Sequence, residues 1–380
     1  METSRRTMLT ALLAGSAAGL CGCSLGEDPP PAQTSDTGLD GSDSSLSTSA
    51  KAAGGMDMLV RKAQSEGKLN VIALLPDWVN YGALIKGFQD KYRITVVSDL
   101  PHATSQEEIS TVIDRRGAAN SPDVLDIGAI AAALNANLFA PYQVELWGDI
   151  DASQREPSGR WVQGYGGYMA MGYNPELVSA PTRMRDLLGP DYRGKVALTG
   201  DPRESFSALN AVALASLAEG GSLDDVSKGI AFFAELRKSG NLVPGVATAD
   251  SVKSGSTPVV LDWDYVSTRS VAQVPTWQVK LPAEAVIGGY YAQAINKDAP
   301  HPAAARLWQE YLFSNDGQNM WLRGGARPVR MNQMRKSGDL DLTALDKLPR
   351  ANGPVRQLTQ EQVVRARQKL TIEWGAAISD

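Results

Sequence analysis

Hydrophobic positions along this chain fall into one early apolar run and, from residue 68 onward, a long alternation of short runs. The early run, 8–20, would reach only about 20 Å as a helix, short of a roughly 30 Å hydrocarbon layer. With Arg5 and Arg6 before it, it reads as a removable export segment rather than a membrane span. Further on, 68–75 is a continuous apolar run of strand length that Pro76, Asp77 and Trp78 close. Residues 83–92 then place Leu84, Ile85 and Phe88 on one helical face, and 94–97 reads as the next strand. Ser105 to Glu108 reads as a capping box opening a helix to about residue 116, and 123–127 follows as a strand. The second half continues with strand 195–198, helices 205–219 and 223–239, and strand 258–262. Strands alternating with helices predict an α/β fold of mainly parallel sheets flanked by helices.

Two extended apolar stretches, 168–173 and 290–295, each follow a pair of glycines, Gly166 with Gly167 and Gly288 with Gly289. They predict crossings between two lobes, with the glycines supplying hinge freedom. Helices are expected at 302–312, 315–323 and 360–374, the last capped by Thr359 with Gln362. The expected layout is a first lobe of 56–167 and 296–380, a second of 168–295, and a cleft between them. A folded part of this size exceeds what one core usually serves.

Composition narrows the partners. The chain has 380 residues, 37 basic and 42 acidic, for a net charge of −5, which argues against nucleic acid or an anionic membrane surface as the partner. Its two cysteines, Cys21 and Cys23, both lie in the leader, so neither a disulfide framework nor a zinc–thiolate site is expected in the folded part. Neither a cofactor nor a metal is expected. Residues 24–55 are rich in Ser, Asp, Gly and Pro without an aromatic, and read as a flexible tether. The leader, 1–22, resembles a twin-arginine signal at Ser4–Leu9 and ends like a bacterial lipobox, with Leu20 and Gly22 before Cys23. Lipidation of Cys23 would anchor the body outside the cytoplasm, at the cell surface or in the periplasm, since several acyl chains make a stable anchor.

Loops directly after strands are where open α/β sheets hold ligands. Trp78 and Tyr81 are candidates for a stacking wall or for ordinary lobe-surface aromatics, and Asp77 for a contact or a helix cap. Asp126 is either a ligand contact or a carboxylate accepting backbone amides, the second being favoured. Asp201 is either a ligand residue or the cap of the helix that follows. Arg203 and Ser205 at that helix start would suit a phosphate or phosphonate. Of Asp262, Trp263, Asp264 and Tyr265, at least one is expected in contact, and of Tyr290 and Tyr291 only one is expected to face the cleft. His102 and His301 are flanked by prolines and read as loop residues. No Gly-x-Ser-x-Gly elbow, His-Glu-x-x-His pair or Walker loop occurs, which disfavours a secreted hydrolase.

The segments Glu66–Ile72, Ser121–Asp126, Gly172–Leu177, Asp191–Pro202 and Ala299–Pro302 leading into Leu312–Gln318, taken in that order, resemble a known family. It is the extracytoplasmic substrate-binding proteins of bacterial ATP-binding-cassette (ABC) importers, in the two-lobed class that includes polyamine, ferric-iron, thiamine and phosphonate receptors. The resemblance implies a monomeric receptor that closes on a small polar solute and docks on membrane permease subunits. Trp78 to Tyr81 and Leu198 to Phe206 are similar to segments of the spermidine and putrescine receptors, which would make Asp201 their acidic ligand residue. Those receptors carry a second carboxylate where this chain has Gly289, Tyr290 and Tyr291, leaving Asp262 or Asp264 to serve. Receptors of the same fold for phosphonate, sugar phosphate or ferric iron are the alternatives. For iron the paired tyrosines would belong near Trp263, where Tyr265 stands alone.

Overall fold

A computed structural model describes residues 44–379 of this chain. Cys23, the leader and the start of the expected tether lie outside the described residues. The strands are β1 (Lys68–Ile72), β2 (Thr95–Asp99), β3 (Val124–Gly128), β4 (Phe139–Ala140), β5 (Trp161–Tyr173), β6 (Val196–Leu198), β7 (Val259–Trp263), β8 (Gln278–Lys280), β9 (Val286–Asn296), β10 (Arg327–Pro328) and β11 (Val355–Arg356). Their order is β2-β1-β3-β9-β5-β7-β6, with β4 and β11 added to β9 and with β8 and β10 added to β5.

The two ends of this path have the expected parallel character. β1 is parallel to β2 and β3, and β6 is parallel to β7. Between them β5 and β9 run antiparallel, and β5 changes partner along its length: Trp161–Tyr168 pairs with β9, Met169–Tyr173 with β7. Both strands start earlier than their apolar stretches suggested, because the glycine pairs are strand residues. All four glycines lie outside the positive-φ region. Their role is close approach rather than torsional freedom: a Cβ on Gly289 would overlap the Trp263 indole, and one on Gly167 would overlap Asp264 and Tyr265.

Helix boundaries follow the sequence closely where capping is local. Helix Asn315–Arg323 has the expected bounds, and helix Gln360–Ile378 carries the expected Thr359–Gln362 capping box, running four residues further than expected. In helix Ser105–Asp114 the frame differs by one residue. Thr104 is the cap and Glu107 its reciprocal partner, so Glu108 turns inward, where its Oε2 accepts the Asp126 amide at 3.1 Å. Helix Phe206–Ala218 is buried on nearly every face from Ala208 to Ser216, as its lack of a polar side requires. Helix Met56–Glu66 was not expected; it packs against Pro302–Phe313.

The tether reading is corrected at its end. Ser47, Ala50 and Ala53 are buried, and the interior Arg306 donates to the Ser45 and Ser47 carbonyls, each at 2.6 Å. The folded body therefore reaches back before Met56. His301 is likewise more than a loop residue, since its amide and Nδ1 lie 2.7 and 2.8 Å from the oxygens of the buried Asp123.

Candidate functional site

The tight turn after β1 sets the first wall of a cleft. Val79 and Asn80 both have positive φ, so the chain reverses within Trp78–Tyr81 and lifts Trp78 out while Tyr81 sinks in. Trp78 donates its Nε1–H to the Tyr165 hydroxyl at 2.8 Å, and Tyr165 donates to Asp126 Oδ2 at 2.7 Å. This relay fixes the indole plane. Trp78 meets Tyr265 and Tyr291 edge to face at 5.5 and 6.1 Å, and Tyr291 stacks on Tyr165 with ring planes 4° apart.

The far wall comes from the loop ending β7. Its last residue, Trp263, and the following Tyr265 line the same cavity of about 550 Å³, together with Phe206, Ser207 and Asp262. Both Tyr290 and Tyr291 contribute to the wall, where only one was expected. Their hydroxyls differ in use. Tyr290 is hydrogen-bonded to Tyr168, and burial pushes its phenol, like those of Tyr265 and Tyr291, above the usual tyrosine range.

Asp262 and Arg367 both line this cleft, and a second carboxylate, Asp126, is buried beside it. Asp262 is only 7 % exposed, accepts Ser207 Oγ–H at 2.5 Å and the Trp263 amide at 2.8 Å, both on Oδ1, and is pushed up to about 6 by burial. Asp126 lies beneath the aromatic layer, where Gln293 Nε2 and Tyr165 donate to it, and burial raises it to about 7 in spite of those donors. Its acceptors are used by side chains, where backbone amides had been favoured. Glu108 beside it is pushed well above the carboxylate range, first by burial and then by the Asp126 charge.

The other expected residues are placed elsewhere. Asp201 and Arg203 bind each other, with Arg203 Nε donating to both carboxylate oxygens at 2.9 and 3.0 Å, and neither lines the cleft. Ser205, not Asp201, caps helix Phe206–Ala218, its Oγ accepting the Ala208 amide at 3.2 Å. Asp264 is fully buried and accepts from the Tyr168 amide and from Arg327, which holds it through two hydrogen bonds. Tyr81 lies in the core against Tyr165 and Trp321. Asp77 is exposed and ion-paired with Arg269 at 2.8 Å. Sequence reading left Phe206, Ser207 and Thr199 unassigned, although they flank the singled-out Ser205 loop. Arg269 and Arg367, also on cavity walls, gave no local signal.

Among the described residues no group of three or more His, Cys, Asp or Glu side chains is placed to hold a metal ion, and no helix is long and apolar enough to cross a membrane. The cleft is a concave, aromatic-lined chamber of the size that binds small molecules.

Known structures share this fold. A putative extracellular solute-binding protein from Bordetella parapertussis is 13 % identical with a TM-score of 0.65, covering 83 % of this chain and 100 % of its own. The spermidine/putrescine ABC transporter substrate-binding protein PotD from Streptococcus pneumoniae is 14 % identical with a TM-score of 0.59, covering 82 % and 99 %. Iron-bound HitA from Pseudomonas aeruginosa is 18 % identical with a TM-score of 0.58, covering 80 % and 97 %. Identities this low speak for the two-lobed fold and not for a shared ligand. Among curated sequences none matches this chain. The family model for bacterial extracellular solute-binding proteins matches residues 119–347, more than half of the chain. These relatives are receptors, not enzymes. This chain therefore belongs to the bacterial extracellular solute-binding proteins, a family that works outside the cytoplasm.

Proposed function

We propose that this receptor captures a small organic cation of the polyamine class, such as putrescine or spermidine, and delivers it to a membrane permease. The carrying observation is the company Asp262 keeps: a buried carboxylate with one oxygen free, in a chamber walled by Trp78, Trp263, Tyr265 and Tyr291. Methylenes bury well against such rings, while an ammonium gains cation–π attraction and a charge-assisted hydrogen bond. In this reading the ligand residues are Trp78, Trp263, Tyr265 and Tyr291, with Asp262 taking the role the resemblance gave to Asp201.

Two rivals of the same fold have less support. The phosphonate or sugar phosphate reading rested on Arg203, which is spent on Asp201, and the guanidinium that does line the cleft, Arg367, shares it with the buried Asp262. Ferric iron would call for several anionic ligands close together, and among the described residues no group of three or more His, Cys, Asp or Glu is placed to hold a metal ion. The lobes of the proposal are 56–167 with 296–380, and 168–295, closing like a hinge. Cys23, lipidated, is proposed as the membrane anchor.

Calorimetric titration of the mature chain with putrescine, spermidine, ferric citrate, phosphonates and sugar phosphates tests the reading. Heat with amines alone is the expected result. Binding of phosphonates or ferric citrate with no response to amines would overturn it.

A further inference from the structure

The cleft does not end at Asp262. A second cavity, of about 610 Å³, shares Thr199, Asp262 and Val266 with the first, so the carboxylate stands in a wall common to both. Its hydrogen bonds from Ser207 and Trp263 both fall on Oδ1, and among the described residues nothing donates to Oδ2. A nine-tenths-buried carboxylate with an open oxygen between two chambers is a pole for a cation that extends both ways.

The second chamber already holds a cation, and it is the protein's own. Arg269 lies in its wall, pairs with Asp77 at 2.8 Å, and sits 5.6 Å from the centre of the Trp78 ring. A carboxylate on one side and an indole face on the other are the contacts an alkylammonium would seek. Both partners of the pair are solvent-exposed, so the pair is weak and easily traded.

Resting on the organic-cation reading, we infer that the site takes a linear amine with at least two ammonium groups, one on Asp262 and another displacing Arg269 from Asp77 and Trp78. Arg269 is then a stand-in for the ligand's second charge and a competitor of it. Chains too short to reach Asp77 and Trp78 bind only the Asp262 pole.

Titration of the mature chain with propylamine, putrescine and spermidine, on wild type and on Asp262→Asn, Asp77→Asn and Arg269→Gln, tests this. Asp262→Asn is expected to weaken every amine at least tenfold. Asp77→Asn should weaken spermidine severalfold and leave propylamine unchanged, whereas Arg269→Gln should bind spermidine at least as tightly as wild type. Both Asp77 and Arg269 are exposed, so these two variants keep the fold and the test remains decisive if Asp262→Asn does not. Spermidine binding no tighter than propylamine, or an Arg269→Gln loss equal to that of Asp77→Asn, would overturn the inference and leave the cation reading intact. Absence of any amine binding to wild type would instead remove the reading beneath it.

Discussion

Arg327 and Asp264 form a buried ion pair, Nη2 to Oδ2 at 2.9 Å, that no solvent reaches from the carboxylate side. The same guanidinium lies 4.0 Å from the centre of the Tyr168 ring and donates to the Pro349 carbonyl. Asp264 in turn accepts the Tyr168 and Tyr265 amides, at 2.9 Å each, and so ties β5 to the turn that presents Tyr265 to the cleft. The residue is a strut behind the wall rather than part of it.

Arg327→Met should therefore destabilise the protein by about 3–5 kcal/mol, because it leaves a carboxylate buried without its counter-ion. Asp264→Asn added to it should restore part of that loss. Urea unfolding of the two variants and wild type measures both, and a loss below about 1 kcal/mol for Arg327→Met would contradict the assignment.

Amine affinity should fall with acid. Asp262 has its carboxyl raised to about 6, and only its ionised form attracts an ammonium, so binding is full above about pH 7 and declines as pH falls through 6. One unit below that value the affinity should be about tenfold weaker. Calorimetry with putrescine from pH 7.5 to 5 reads the decline, and a flat profile would remove Asp262 from contact.

Folding stability should carry the opposite trend from Asp126. Its folded value is about 7 against an ordinary 3.8, so the fold favours the protonated form. The stability this contributes is complete below about pH 4 and is lost as pH rises through 7. Asp126→Asn, neutral throughout, should gain on wild type by a few kcal/mol between these limits. Denaturant midpoints of the pair at pH 4.5 and 8 compare them directly.

Gly289→Ala should cost about 1–3 kcal/mol and weaken ligand binding together, since the new methyl would push against the Trp263 indole on the cleft wall. A variant that melts and binds like wild type would show that the indole has room to retreat.

A chain beginning at Met56 should be less stable than one beginning at Ser44. Truncation strips the interior Arg306 of the Ser45 and Ser47 carbonyls, and hydrogen bonds to a charged donor are worth about 1.5–3 kcal/mol each. Thermal melting of the two chains distinguishes them.

Much of this receptor was legible in one dimension. Strands and helices declared themselves through apolar spacing and caps, as in Asn315–Arg323 and the Thr359–Gln362 box, because those signals act within a few residues. The helix start at Thr104 shows the resolution of such reading, since the capping box lies one residue before the expected Ser105 frame and Glu108 turns inward to accept the Asp126 amide.

What the sequence by itself determined is the alternation of elements, the extended stretches at 168–173 and 290–295 and the pool of aromatic and acidic residues after strands. Which acid does what was decided only in three dimensions. Asp201 is claimed by Arg203 two positions away, Asp264 by Arg327 sixty-three positions away, and Asp262, of these three, keeps one oxygen to which nothing donates among the described residues. A carboxylate's role depends on the donors and the solvent that remain around it, and those are set by strand pairing and long-range packing that local spacing does not encode.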